Sequence, residues 1–477
     1  MGDEIRSSCF REEDYDRFYQ SLEQETQELA HLFEQGAFTD DEPMCGIEQE
    51  AWIVNKAFYA EPENKYLIES MQSPLLSPEL AQFNIELNVT PQLLGAKGLQ
   101  TIHEDLLSLW KQCDAKLEQK GLHMMMVGIL PTLRDQELLV DNMSQLNRYY
   151  ALNEQVMKAR KGKPLCLDIV GKEHLRSIHS DVMLESAATS FQIHRQIPFK
   201  NSVRYFNASV ILSAPLVAVG ANSPFLFFKN IWEETRIPLF EQAVDVGGYG
   251  NASAGPMKRV SFGTGYARNS LMEFFKENLN HFPVLLPEQF SSDSSELKHL
   301  RMHNGTIWRW NRPLIGFNEK KQPHLRVEQR VASAGPTIVD EMANAVFFYG
   351  LQEFYANLET APETQLDFSQ AKSNFYSAAQ HGLEAKVNWL NGTNSTVASL
   401  ILNELLEQSR NGLNRLGVDQ NSIKEYLEII EQRTISRQNG ANWQKRYVQK
   451  YNCTMRELAE QYWINQIREK PVHEWPI

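Results

Sequence analysis

The chain has 477 residues, 42% hydrophobic and 22% charged, with a formal net charge of −13. This is an ordinary globular composition, long enough for a large core in one enlarged domain or in roughly two or three smaller ones. The acidic balance excludes the basic footprint that a nucleic-acid-binding protein needs.

The N-terminus, Met-Gly-Asp-Glu-Ile-Arg-Ser-Ser-Cys-Phe, lacks an apolar core, so no signal peptide is expected. No run of about 18 apolar residues occurs, so no membrane span is expected either. Residues 11–36 read as a polar amphipathic helix closed by Gly36. Strands follow at 45–54 and at 83–89, the second stopped by Pro91. A helix with a Leu/Trp face spans 99–120 and ends at Gly121, and a strand at 123–127 ends at Gly128. Next come a helix at 142–160, strands at 164–170 and 189–197, and an apolar helix at 202–219. Strands are expected at 307–310 and 325–331, and from Thr337 to about Lys470 the periodicity is helical. Strands and helices do not alternate regularly, which argues against a doubly wound parallel sheet. The pattern predicts an α+β fold on a mostly antiparallel sheet, with an N-terminal helical extension (1–40), a sheet region (41–335) and a helical portion packed on it (336–477). The cysteines Cys9, Cys45, Cys113, Cys166 and Cys453 show no zinc or disulfide spacing, so the expected setting is a reducing cytoplasm.

Four of these strands carry a polar face, because side chains repeat every two residues. Glu48 and Glu50 share one face, as do Asn84, Glu86 and Asn88 on the second strand and Gln192, His194 and Gln196 on the third. Arg326, Glu328 and Arg330 share a face on the fourth. A solvated sheet face is the plain alternative, but Lys and Thr, its usual residues, are almost missing here, and Glu is a poor strand former. Glu side chains at i and i+2 lie about 7 Å apart, and a divalent cation relieves their repulsion. Carboxylates with one imidazole suit Mg²⁺ or Mn²⁺. Arg326 and Arg330 can grip phosphate through two parallel hydrogen bonds. Metal–phosphate chemistry in a concave sheet is the inferred purpose. The Gly-rich stretch 246–255 reads as a flexible lid rather than a phosphate-binding loop. Lys258 beside it is assigned to nucleotide phosphate, and His303, Arg309 and Arg312 near Trp308 and Trp310 are further pocket candidates.

Together these strands resemble the glutamate–cysteine ligase superfamily, nearest its bacterial carboxylate–amine ligase-like group. The matching pieces are Gly46-Ile-Glu-Gln-Glu50, Phe83-Asn-Ile-Glu-Leu-Asn-Val-Thr-Pro91, Phe191-Gln-Ile-His194, Ala221-Asn-Ser-Pro-Phe225, His324-Leu-Arg-Val-Glu-Gln-Arg330 and Arg437-Gln-Asn-Gly-Ala-Asn-Trp443. The resemblance implies a glutamine-synthetase-like curved sheet holding ATP and divalent metal. It implies Glu48, Glu50, Glu86, His194 and Glu328 as metal ligands and Arg330 on the transferred phosphate. Arg326 falls on phosphate or substrate carboxylate, and Asn222 beside nucleotide or substrate. The family pattern has a His-x-His pair on the third strand; here Gln192 takes its first position.

The implied reaction is ATP- and Mg²⁺-dependent condensation of a carboxylate with an amine through an acyl phosphate, a γ-glutamyl-type bond formation. The partners are a small carboxylate, glutamate by resemblance, and an amine, with neither nucleic acid nor membrane and with homo-oligomer formation left open. Two alternatives stay open: a guanidino or amine kinase on a similar sheet, and a non-catalytic ATP-binding regulator.

Overall fold

The computed structural model describes residues 4–40, 43–246, 257–290 and 294–477. The expected lid at 246–255 lies, apart from Val246, outside the described residues. The strands in chain order are β1 (Met44–Asn55), β2 (Leu76–Pro78), β3 (Asn84–Asn88), β4 (Gln92–Leu93), β5 (Leu122–Met125), β6 (Leu165–Val170), β7 (His174–His179), β8 (Phe191–Ile197), β9 (Phe225–Leu226), β10 (Lys229–Asn230), β11 (Asn311–Phe317), β12 (Pro323–Gln329), β13 (Lys386–Asn388) and β14 (Asn394–Thr396), the last two a short hairpin within the portion expected to be helical. Eight of them form one curved sheet in the order β11-β12-β8-β1-β3-β2, with β4 and β5 pairing with the two ends of β1. Every pairing in it is antiparallel.

Register collects the polar residues. Glu50 faces Glu86 across β1 and β3, Glu48 lies between Asn88 and Gln192, and Glu328 lies between His194 and Arg312. Cross-strand partners point to the same side, so the four polar half-faces merge into one surface. The other face carries Ile47, Ala51, Ile85, Ile193, Leu325 and Val327, all buried. It packs on α3 (Gly98–Glu118), α5 (Ser202–Val219) and α9 (Ile338–Ala356).

Gln49, Arg195 and Gln329 interrupt that apolar face, and each makes hydrogen bonds inside the core, Gln49 by donating to Glu50 O at 2.6 Å. Arg195 pairs with Glu353, donates to Gln352 Oε1 at 3.2 Å and stacks over Tyr205. Gln329 donates to Asn311 Oδ1 at 2.9 Å and accepts from Val331 N at 3.0 Å. Buried polar groups persist in a core when they are paired in this way. The stretch Phe199–Val219, which contains α5, is long and apolar enough to cross a membrane, but 89% of its apolar window is buried inside the protein.

The N-terminal helix Glu12–Gln35 is docked rather than free. Phe18, Leu22 and Leu29 are buried in the main core, and Glu25 lies 2.6 Å from His299 at the start of the helix Lys298–Gly305.

The expected strand at 307–310 is displaced: the strand is β11, which begins at Asn311. Pro313 and Gly316 disguise it in the sequence, and both are tolerated because β11 is an edge strand. The helix expected at 142–160 is shorter, Asn147–Ala159, and the hairpin partner β7 was not anticipated.

Candidate active site

The polar face of the sheet floors a cleft of about 330 Å³. All five expected metal ligands line it, and so do Arg326 and Arg330. The ligands separate into two groups. In the first, Glu48, His194 and Glu328 each offer one ligand atom, all within 4.8 Å of one another. His194 Nε2 lies 3.2 Å from Glu48 Oε1 and 3.9 Å from Glu328 Oε1. In the second, Glu50 and Glu86 are joined within the same distance by Glu79, which the sequence reading missed. Glu79 follows the three-residue strand β2 and belongs to no alternating run; its single signal is a carboxylate seven positions before Glu86.

The two groups differ electrostatically. Burial opposes ionisation of Glu48, but His194 outweighs it and the carboxyl lies at about 2. Burial likewise opposes ionisation of Glu328, and Arg312, Arg330 and His194 together hold it well below the usual carboxylate range. The second group has far less compensation. Burial, with Glu48 beside it, lifts Glu86 to about 7. Burial and the charges of Glu50, Glu86 and Glu185 push Glu79 well above its ordinary value. Burial also raises Glu50, although Arg330 and hydrogen bonds from Ser190 oppose it.

A divalent cation fits this arrangement. Three desolvated carboxylates repel one another, and Glu79 Oε1 is buried with no hydrogen-bond partner. The donor set of carboxylates and one imidazole suits Mg²⁺ or Mn²⁺.

Gln192 links the two groups. Its Nε2 donates to Glu50 Oε1 at 2.9 Å, and its Oε1 accepts from Arg330 Nη1. Arg330 also donates to Glu328 Oε2 at 3.1 Å. Glu50 is held from below by Ser190 N at 2.7 Å and Ser190 Oγ at 2.9 Å. Gln192 thus relays between a carboxylate and a guanidinium. Arg312, a sequence candidate with no assigned role, closes the chain: its Nε and Nη2 reach Glu328 Oε2 and Oε1 at 2.7 and 2.8 Å.

Arg326 stands apart from this network. Its Nε is buried without an acceptor, and burial pulls its pKa down against the opposing charges of Glu48 and Glu328. Lys298 and Arg301 join it among the residues that line the cleft. Trp308, Phe275 and Phe290 supply apolar lining.

Two expected nucleotide-side residues lie elsewhere. Asn222 is fully buried and does not line the cleft; it donates to Ala334 O and to the Tyr462 hydroxyl, both at 2.7 Å, and accepts from Gln444. Its amide is spent on joining the turn after α5 to the C-terminal helices. Lys258 lines a second cavity, about 410 Å³, with Lys372, Tyr376 and Arg309. His303 is a core residue bonded to Asn278 O, and burial lowers it to about 4.

A curved antiparallel sheet with carboxylates and guanidiniums on its concave face defines the glutamine-synthetase-like class of ligases. The chain belongs to glutamate-cysteine ligase family 2, whose model matches residues 44–468. It is an ATP-dependent carbon–nitrogen ligase acting on a carboxylate and an amine. Among solved structures it is similar to the glutamate–cysteine ligase of Francisella tularensis in complex with AMP: TM-score 0.54, 11% identity, 89% of this chain and 90% of that one. It is also similar to a bifunctional glutathione synthetase from Pasteurella multocida: TM-score 0.53, 11% identity, 95% of this chain and 54% of that one. The chain therefore spans about half of that bifunctional protein. No curated protein sequence matches the chain.

Proposed function

We propose that this protein forms a γ-glutamyl-type amide from a small carboxylate and an amine, through an acyl phosphate made from ATP. The observation that carries the reading is the convergence of two carboxylate-rich ligand groups and three arginines, Arg312, Arg326 and Arg330, in one cleft. A carboxylate does not condense with an amine unaided, because its oxide is a poor leaving group. Divalent metal, when bound by Glu48, His194 and Glu328 and by Glu50, Glu79 and Glu86, supplies charge neutralisation for the phosphates. Arg330 stabilises the phosphoryl group as the substrate carboxylate oxygen attacks phosphorus and ADP departs. Arg326 offers its guanidinium to a second anion, phosphate or substrate carboxylate. The apolar wall of Phe275, Phe290 and Trp308 keeps water from the activated acyl group.

The test uses the purified chain with ATP, Mg²⁺, glutamate and a panel of amines. Amine-dependent ADP release and a hydroxamate with hydroxylamine are expected. Neither signal appearing overturns the reading, and a stable phosphorylated product without condensation favours the kinase alternative. Arg330→Ala is expected to lower kcat on the order of 10³-fold, as loss of a transition-state guanidinium does elsewhere.

A further inference from the structure

Amide formation needs a free amine, yet amino groups are largely ammonium ions near neutral pH. Some group in the cleft must receive that proton, and most of its carboxylates are committed. Glu48 lies against His194, and Glu328 is held by Arg312 and Arg330. Glu50 accepts three hydrogen bonds from Ser190 and Gln192. Glu86 accepts from Asn88 Nδ2 at 2.8 Å, and Glu79 completes the second ligand group.

Glu185 is different. It lines the same cleft but belongs to neither ligand group, and among the described residues its carboxylate has no hydrogen-bond or ion-pair partner. It rides on the short 3₁₀ turn Met183–Ala187, whose other four residues are buried, so its backbone is fixed. The charged and titratable groups around it are Glu50 of β1, Glu79 after β2, Tyr149 of the helix Asn147–Ala159 and Arg330 after β12.

Resting on the ligase reading above, we infer that Glu185 binds the ammonium group of the acceptor amine and takes its proton before attack. One ammonium proton passes to the Glu185 carboxylate. The freed nitrogen lone pair forms the bond to the acyl carbon, and the carbon–oxygen bond to phosphate breaks with its electrons on phosphate. The second proton lost by the nitrogen leaves with that phosphate.

Hydroxylamine provides the test, because it is uncharged at neutral pH and attacks without a base. With the full chain, ATP, Mg²⁺ and glutamate, Glu185→Gln should keep hydroxamate formation within about threefold of wild type while amide formation with amino acids falls roughly 10²–10⁴-fold. Amide formation by the variant should climb about tenfold per pH unit below the amine's pKa, and Glu185→Asp should recover part of the loss. Hydroxamate and amide falling together, or neither falling, overturns the assignment to Glu185. Wild-type protein that makes no hydroxamate overturns the ligase reading itself, which is a separate result.

Discussion

At the scale of single residues, Glu328 carries the most demands. Arg312 takes both of its oxygens and Arg330 takes one, which fixes the carboxylate plane and leaves one lone-pair site, on Oε1, for a cation. Arg312 therefore acts on a metal through Glu328, and partners of this kind typically contribute 10–100-fold to metal affinity. Arg312→Ala is expected to weaken Mn²⁺ binding by about that factor with an unchanged circular dichroism spectrum; a titration followed by electron paramagnetic resonance measures it. Unchanged affinity would show that Arg330 alone orients the carboxylate. Gln192 poses the complementary case. Its amide donates to Glu50 and accepts from Arg330 at once.

At the scale of elements, β8 is central: it lies between β12 and β1 and carries His194 and Gln192 on the cleft side. Its back is fastened to α9 by Arg195, which is 1% exposed and paired with Glu353. Removing one partner of a buried pair leaves an uncompensated charge, at a cost of about 3–5 kcal/mol. Arg195→Ala should lose about that much in urea melts, and a cycle with Glu353→Ala should show strong coupling. Additive losses would mean that the pair does not act as a unit. The strands on which the site sits were legible because alternation is a two-residue signal that their polar residues obey, and it placed Glu48, Glu50, Glu86, His194, Glu328, Arg326 and Arg330 on one face. Arg195 looked like a defect in that signal because its partner lies 158 residues away. Glu79 and Glu185 sit on a strand end and a 3₁₀ turn, where no period exists to expose them. Asn222 has the polarity of a ligand contact, and nothing local reveals that Tyr462 and Ala334 consume it.

At the scale of the molecule, the cleft sets part of the stability profile. Glu86 at about 7 and Glu185 at about 8 have folded pKa values above their unfolded ones, and Glu50 and Glu79 shift in the same direction. Between the ordinary carboxylate range and pH 8 the folded state thus binds more protons than the unfolded chain, and stability falls as pH rises. Glu48, at about 2, has the opposite sign, but its contribution is already complete above the ordinary carboxylate range and is lost only in acid. His303 and His324, held neutral by burial at about 4, oppose the first trend below their ordinary pKa, so the clean window runs from about pH 6.5 to 8. Metal-free protein should therefore melt at a progressively lower temperature across that window. A divalent cation replaces the missing protons, so millimolar Mn²⁺ should flatten the slope and raise the melting temperature most at pH 8. Glu86→Gln should flatten it without metal, because the repelling carboxylate is gone. Differential scanning calorimetry with chelator, with Mn²⁺ and with the variant resolves the three curves. A slope of the same size in all three would show that the charge repulsion which makes this cleft a cation site is relieved by some other means.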